Sequence, residues 1–271
     1  MKTGQSAEIL SDVASQPAIS PDAKQLMYIV YVNHNIKEEI WVSDIDGRNA
    51  VKIGTGKSVG TGSWSPDGKQ IGYLVETDAG SRGYAATSDG RSIQETAAVP
   101  GQIQSIQWSF DQKEIYETVA SGGRTSVWSF QSDGTNPTKL LDNVFAIETY
   151  PDGKYLLAVV LAGARTGIYA ISIAEKKSFP LLPGVETFNI HSAPDGKSFV
   201  YPIAGRDEIL FYRQGFYDGK LIGEPQLALK LPFAFPLNIF GNSYDFSRDL
   251  SKIVYARLSG KSDLYLLKQK P

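Results

Sequence analysis

A four-residue turn that returns six times constrains this chain more than any other feature. The clearest copy is Ser65-Pro66-Asp67-Gly68. The others are Ser20-Pro21-Asp22-Ala23, Ser109-Phe110-Asp111-Gln112, Tyr150-Pro151-Asp152-Gly153, Ala193-Pro194-Asp195-Gly196 and Ser247-Arg248-Asp249-Leu250. Their aspartates, at 22, 67, 111, 152, 195 and 249, stand 45, 44, 41, 43 and 54 residues apart. That interval is the length of one four-stranded unit, with an insertion in the fifth. A lysine follows the aspartate by two in five copies (Lys24, Lys69, Lys113, Lys154 and Lys197), and an apolar strand comes next. An aromatic then opens a further strand: Trp41, Tyr84, Trp128, Tyr169 and Tyr265. In the first three repeats Asp46-Gly47, Asp89-Gly90 and Asp133-Gly134 follow five residues later. Asp-Gly between apolar strands signals a hairpin, because glycine accepts the positive φ of a tight turn.

Each repeat therefore predicts strand a, the Pro-Asp-Gly turn, strand b, a variable loop, strand c, the Asp-Gly turn and strand d. No window carries a capped 3.6-residue apolar period. The expected fold class is all-β, a single six-bladed β-propeller over residues 1–271. Its blades lie near 17–55, 60–98, 103–142, 146–183, 187–231 and 243–267. Such units bury both faces only by packing against one another. The sixth lacks a strand d, and residues 7–10, ahead of the first repeat, resemble one. The ring is thus expected to close by an N-terminal strand joining the last blade, which removes an open edge. In the fifth unit, 216–220 predict a hairpin with lengthened strands. Residues 231–242, with Pro232 and Pro236 among Phe233, Phe235 and Phe240, predict a loop outside the ladder.

The run Trp64-Ser65-Pro66-Asp67-Gly68-Lys69, with the aromatic and Asp-Gly that follow it, resembles the WD40-like PD40 repeats of TolB-like six-bladed propellers. The resemblance covers nearly the whole chain and implies the fold. It implies function only loosely, because such propellers are grafted onto many proteins. The last repeat also resembles the C-terminal blade of bacterial multidomain regulators, where a propeller follows a Ser/Thr kinase or winged-helix domain. That implies the C-terminal domain of a larger regulatory protein, and the TolB-like resemblance implies a periplasmic or other extracytoplasmic setting.

Twenty-seven Lys+Arg against 29 Asp+Glu give a formal net charge of −2, so no overall basic field draws nucleic acid. Cysteine is absent, which removes thiol nucleophiles and Cys-ligated zinc. The longest apolar run, 155–164, is too short for a spanning helix, and no membrane insertion is expected. The two histidines, His34 in the b–c loop of the first repeat and His191 on strand a of the fifth, are far apart in the repeat order. No nucleophile motif accompanies them, so no catalytic residue, metal or cofactor is assigned, and His191 reads as a hydrogen-bonded inner-strand residue. The alternative is a channel-metal hydrolase of the propeller lactonase type, using Glu148, Asn189, Asn242 and Asp245. The turn aspartates read as structural, and Trp41, Trp64, Trp108 and Trp128 as core between blades. One feature is not explained by the repeat: the other b–c loops carry Arg82, Arg124, Arg165, Arg206 and Arg257. Arginine's planar fork suits carboxylates and phosphates. The expected function is a non-catalytic binding or sensor propeller. It would act as a monomer and recognise a protein or small anionic ligand at the face formed by the b–c and d–a loops, with Arg82, Arg124, Arg165, Arg206, Arg257 and His34 as the candidate contacts.

Overall fold

The repeated turn closes on itself through one hydroxyl and one carboxylate. In the second repeat the Ser65 carbonyl accepts the Gly68 N–H at 2.8 Å. Asp67 Oδ1 accepts the Ser65 hydroxyl at 2.8 Å and the Lys69 N–H at 3.1 Å, while Ser65 Oγ accepts the Gln70 N–H at 2.9 Å. The same network forms around Ser20 and Asp22, Ser109 and Asp111, and Ser247 and Asp249. Each turn thereby satisfies the backbone groups exposed by the reversal. The aspartates are structural in these turns, and Lys24, Lys69 and Lys113 lie exposed beside them.

A computed structural model describes residues 6–11, 14–32, 37–78, 80–161, 163–193, 196–232, 244–247, 249–258 and 262–268. Over these residues the chain is all-β, with one short 3-10 turn at Gly163–Arg165, and its strands form six four-stranded antiparallel sheets. The first sheet comprises β2 (Ala14–Ile19), β3 (Gln25–Val32), β4 (Lys37–Asp44) and β5 (Val51–Gly56). The second holds β6 (Ser58–Trp64), β7 (Gln70–Thr77), β8 (Gly80–Thr87) and β9 (Ile93–Glu95). The third holds β10 (Gln102–Trp108), β11 (Glu114–Ser121), β12 (Arg124–Gln131) and β13 (Thr138–Asp142). The fourth is β14 (Ala146–Thr149), β15 (Tyr155–Val160), β16 (Gly167–Ser172) and β17 (Lys177–Pro183). The fifth is β18 (His191–Ser192), β19 (Ser198–Ala204), β20 (Glu208–Tyr217) and β21 (Lys220–Pro232). The sixth takes β22 (Tyr244–Phe246), β23 (Lys252–Leu258) and β24 (Ser262–Lys268), and its fourth strand is β1 (Ser6–Leu10), antiparallel to β24.

Apolar residues gather between consecutive sheets rather than inside any one of them. Ile29 and Ile40 of the first sheet meet Ile71 and Tyr73 of the second. Further clusters join the second to the third around Ile106, the third to the fourth around Leu156, the fourth to the fifth around Phe216, and the fifth to the sixth around Phe211. A sixth cluster packs Leu26 and Tyr28 of the first sheet against Val254, Ala256 and Leu264 of the last. Trp64 and Trp108 are buried in these interfaces, whereas Trp41 and Trp128 are half-buried beside them.

The fifth sheet departs from the others as the repeat spacing suggests. β20 and β21 run 10 and 13 residues and meet in a hairpin at Asp218-Gly219, where both residues have positive φ. The expected loop over 231–242 begins later than the prolines indicate, because Leu231 and Pro232 pair with Ile209 and Glu208. Pro232 is tolerated as the last residue of an outer strand, where no further ladder needs its missing N–H. The remainder of that segment, with Phe233, Phe235, Pro236, Phe240 and Asn242, lies outside the described residues.

Candidate binding funnel

The innermost strands of all six sheets converge on a cavity of about 230 Å3. Pro21, Pro66, Phe110 and Pro151 of the repeated turns form part of its wall, so it opens toward the a–b turn end of the sheets. In an antiparallel sheet the b–c connections lie at the opposite end. The cavity therefore faces away from the loops that carry the arginines.

One register position in each repeat recurs in the lining. It is the second residue before the turn: Ala18, Ser63, Gln107, Glu148, His191 and Asp245, all six of which border the cavity. These side chains also stitch neighbouring sheets together. The Trp108 N–H donates to Ser63 Oγ at 3.0 Å, the Ser192 N–H to Glu148 Oε1 at 3.0 Å, and the Ile19 N–H to Asp245 Oδ2 at 2.6 Å. Each donor is the neighbouring position on the next inner strand, so the sixth sheet is tied to the first in the same way as the second to the third and the fourth to the fifth. Ala18 has no side-chain acceptor. There the Trp64 indole donates to the Ala18 carbonyl at 2.9 Å instead.

This collar is chemically lopsided. Sheets one to three contribute Ala18, Ser63 and Gln107, while sheets four to six contribute three ionisable groups in succession, Glu148, His191 and Asp245. His191 Nδ1 lies 3.4 Å from Asp245 Oδ1, and the two side chains are 16% and 20% exposed. His191 also packs against Tyr244 and Phe246. Withdrawal from water disfavours the charged form of each group. Burial pushes the Glu148 carboxyl up to about 8, with the nearby Asp245 charge adding to the effect. It pushes Asp245 up to about 7 and the His191 imidazole down to about 4. With Asp245 ionised, neutral His191 turns its Nδ1 proton toward it and keeps Nε2 as an acceptor, and Nε2 has no partner among the described residues.

Glu148, Asn189 and Asp245, the described members of the carboxylate-amide set expected at the channel, all border the cavity, and Asn242 lies outside the described residues. Each carboxylate holds an inter-sheet N–H, and Asn189 Oδ1 accepts the Ile190 N–H at 2.8 Å. Among the described residues no group of three or more His, Cys, Asp or Glu side chains is placed to hold a metal ion. The arginines are elsewhere. Arg82, near the start of β8, pairs with Glu95 at 2.9 Å. Arg124, Arg165 and Arg206 are exposed at the b–c end. His34 and the Arg257 side chain lie outside the described residues. The sequence places Glu148 and Asp245 together at the channel and His191 apart on an inner strand, without bringing out the collar. The signal was available, because counting two residues back from every turn brings all six together.

No protein-family model matches the chain. Over 107 residues, 37% of the chain, it is 29% identical to dipeptidyl-peptidase 5 of Porphyromonas endodontalis, and the match spans 15% of that enzyme. Among solved structures it is similar to TolB from Acinetobacter baumannii, with a TM-score of 0.65 and 15% identity, covering 96% of this chain and 64% of that one. It is similar to a putative TolB from Agrobacterium tumefaciens at a TM-score of 0.64 and 17% identity, covering 96% and 91%. The chain thus spans under two thirds of the Acinetobacter protein and a small part of the peptidase. Among the described residues no helix is long and apolar enough to cross a membrane. Repeat sequence, sheet topology and these likenesses agree that the chain folds as a TolB-like β-propeller.

Proposed function

We propose that the chain is a non-catalytic binding module, a closed six-bladed propeller over residues 1–271, whose recognition site is the funnel at the a–b turn end. The observation that carries this reading is the collar. Five of its six positions present polar or ionisable side chains to one cavity, and the three ionisable ones are adjacent. Concave sites with a few convergent polar groups are where small ligands and peptide segments bind. The six-sheet series, the core between last and first sheets and the β1–β24 pairing support closure of the ring. Following the resemblance, we place the module at the C-terminal end of a larger bacterial regulator, as an extracytoplasmic monomer that binds a protein segment or small ligand.

The experiment is a selection of displayed random peptides against the chain, repeated with Gln107→Trp, which fills the collar from the third sheet. Peptides that bind the parent and lose the variant support the funnel. Peptides that bind both equally contradict it. A second surface is favoured by the exposure of Arg124, Arg165 and Arg206 at the b–c end, and with Arg82, Arg257 and His34 it forms the anion-binding proposal. Exposed charges are each worth about 1 kcal/mol or less. Joint replacement of Arg124 and Arg165 by alanine should weaken a salt-sensitive partner more than either change alone. A partner unaffected by the pair, or by salt, removes that surface.

A further inference from the structure

Building on the funnel reading, we propose that the collar arc Glu148–His191–Asp245 is a site for a protonated amine entering from the a–b turn mouth. Three observations meet there. The funnel wall among the described residues contains two carboxyl groups and no lysine or arginine. Its titratable groups among the described residues are Glu148, His191, Tyr244 and Asp245, so no described cation competes for the carboxylates. Glu148 uses Oε1 for the Ser192 N–H, which leaves Oε2 without a partner among the described residues, and the buried His191 Nε2 has none among them either. An ammonium group carries three donors and no acceptor, which matches this set.

The third observation is Trp108. It is 2% exposed, borders the same funnel, and its indole Nε1 has no acceptor among the described residues. The equivalent indole one sheet earlier, Trp64, is satisfied by the Ala18 carbonyl. An unmade hydrogen bond on a buried donor is costly. An acceptor attached to the amine, such as a peptide carbonyl, would complete it. Phe110 and Phe188 also line the funnel and give a cation aromatic surface to cross. A metal ion is a poorer occupant, since the arc offers no convergent three-ligand group. The shared chemistry is therefore an ammonium group, borne either by a small amine or by a lysine side chain within a peptide.

Calorimetric titration of the full chain with butylamine, N-acetyl-lysine-methylamide and N-acetyl-norleucine-methylamide tests the site. Both amines should bind about tenfold or more tighter than the neutral norleucine derivative. Binding should tighten between about pH 6 and pH 8.5, with proton release, as the cation displaces protons from the two carboxyls. A lysine derivative much tighter than butylamine identifies a peptide source, and near-equal affinities identify a small amine. Glu148→Gln should weaken the amines about fivefold or more while leaving the norleucine derivative unchanged. Asp245→Asn serves the same purpose should Glu148→Gln fail to fold, and the pH series needs no variant. Equal affinity for the norleucine derivative, absence of amine binding, or calcium or manganese binding that excludes the amine would overturn the proposal. In each case peptides that still lose Gln107→Trp would leave the funnel reading standing.

Discussion

Glu117 carries a carboxyl that no water reaches. It sits on β11 with 0% exposure, accepts the Thr96 hydroxyl at 2.8 Å on Oε1, and has no partner for Oε2 among the described residues. Gly83 is required beside it, because a Cβ there would overlap Glu117 Oε1 and Thr96 Oγ1. Burial raises the Glu117 carboxyl to about 7, from 4.5. Its folded-state affinity for the proton thus exceeds that of the unfolded chain, so its ionisation removes stability. The contribution is whole below the unfolded value and is lost as pH rises through about 7, by about 3 kcal/mol once ionised. Glu148 and Asp245 are raised for the same reason and add to the alkaline loss. Glu117→Gln should therefore melt higher than the parent at about pH 8 and shrink that difference toward about pH 5. Denaturant titrations at both values check this, and a pH-independent difference would contradict it.

At the scale of elements, the repeated turn explains most of what was legible in the sequence. Ser-Pro-Asp-Gly specifies its hydrogen bonds locally, so every strand a and strand b could be placed by eye. The fourth position is left-handed in all six copies, including those where it is not glycine: Ala23, Gln112 and Leu250 have φ of 55°, 62° and 58°. A side chain in that region stores strain that glycine lacks. Gln112→Gly should stabilise the chain by about 0.5–1 kcal/mol, read as a rise in the urea midpoint. No change, or a loss, would show that glycine's extra unfolded-state freedom cancels the relief. What was not legible is geometry across sheets. Nothing local in His191 reveals that it meets Asp245, 54 residues later, because their contact depends on the packing of the fifth sheet against the sixth. The arginines draw attention to the opposite face for a related reason. Arginines recur visibly in loops, whereas the collar recurs in register and varies in identity, which hides it from a search for like residues.

Over the whole molecule, the proposed closure rests on both ends of the chain. Ser6, Ala7, Glu8 and Leu10 pair with β24, and Ile9 and Leu10 pack beside the cluster that joins the last sheet to the first. Removing residues 1–11 deletes an outer ladder and part of that core and exposes β24 as an edge. The truncated chain should lose several kcal/mol and melt well below the parent. Equal melting would mean that β1 is dispensable. The proposed recognition site depends on the same arrangement, since the collar exists only when six inner strands meet. The most direct measurement is a crystal structure of the chain with a peptide selected for binding to it. The peptide should lie in the funnel at the a–b turn end, against Glu148, His191 and Asp245, whereas a peptide lying across Arg124 and Arg165 at the opposite end would contradict the funnel as the recognition site.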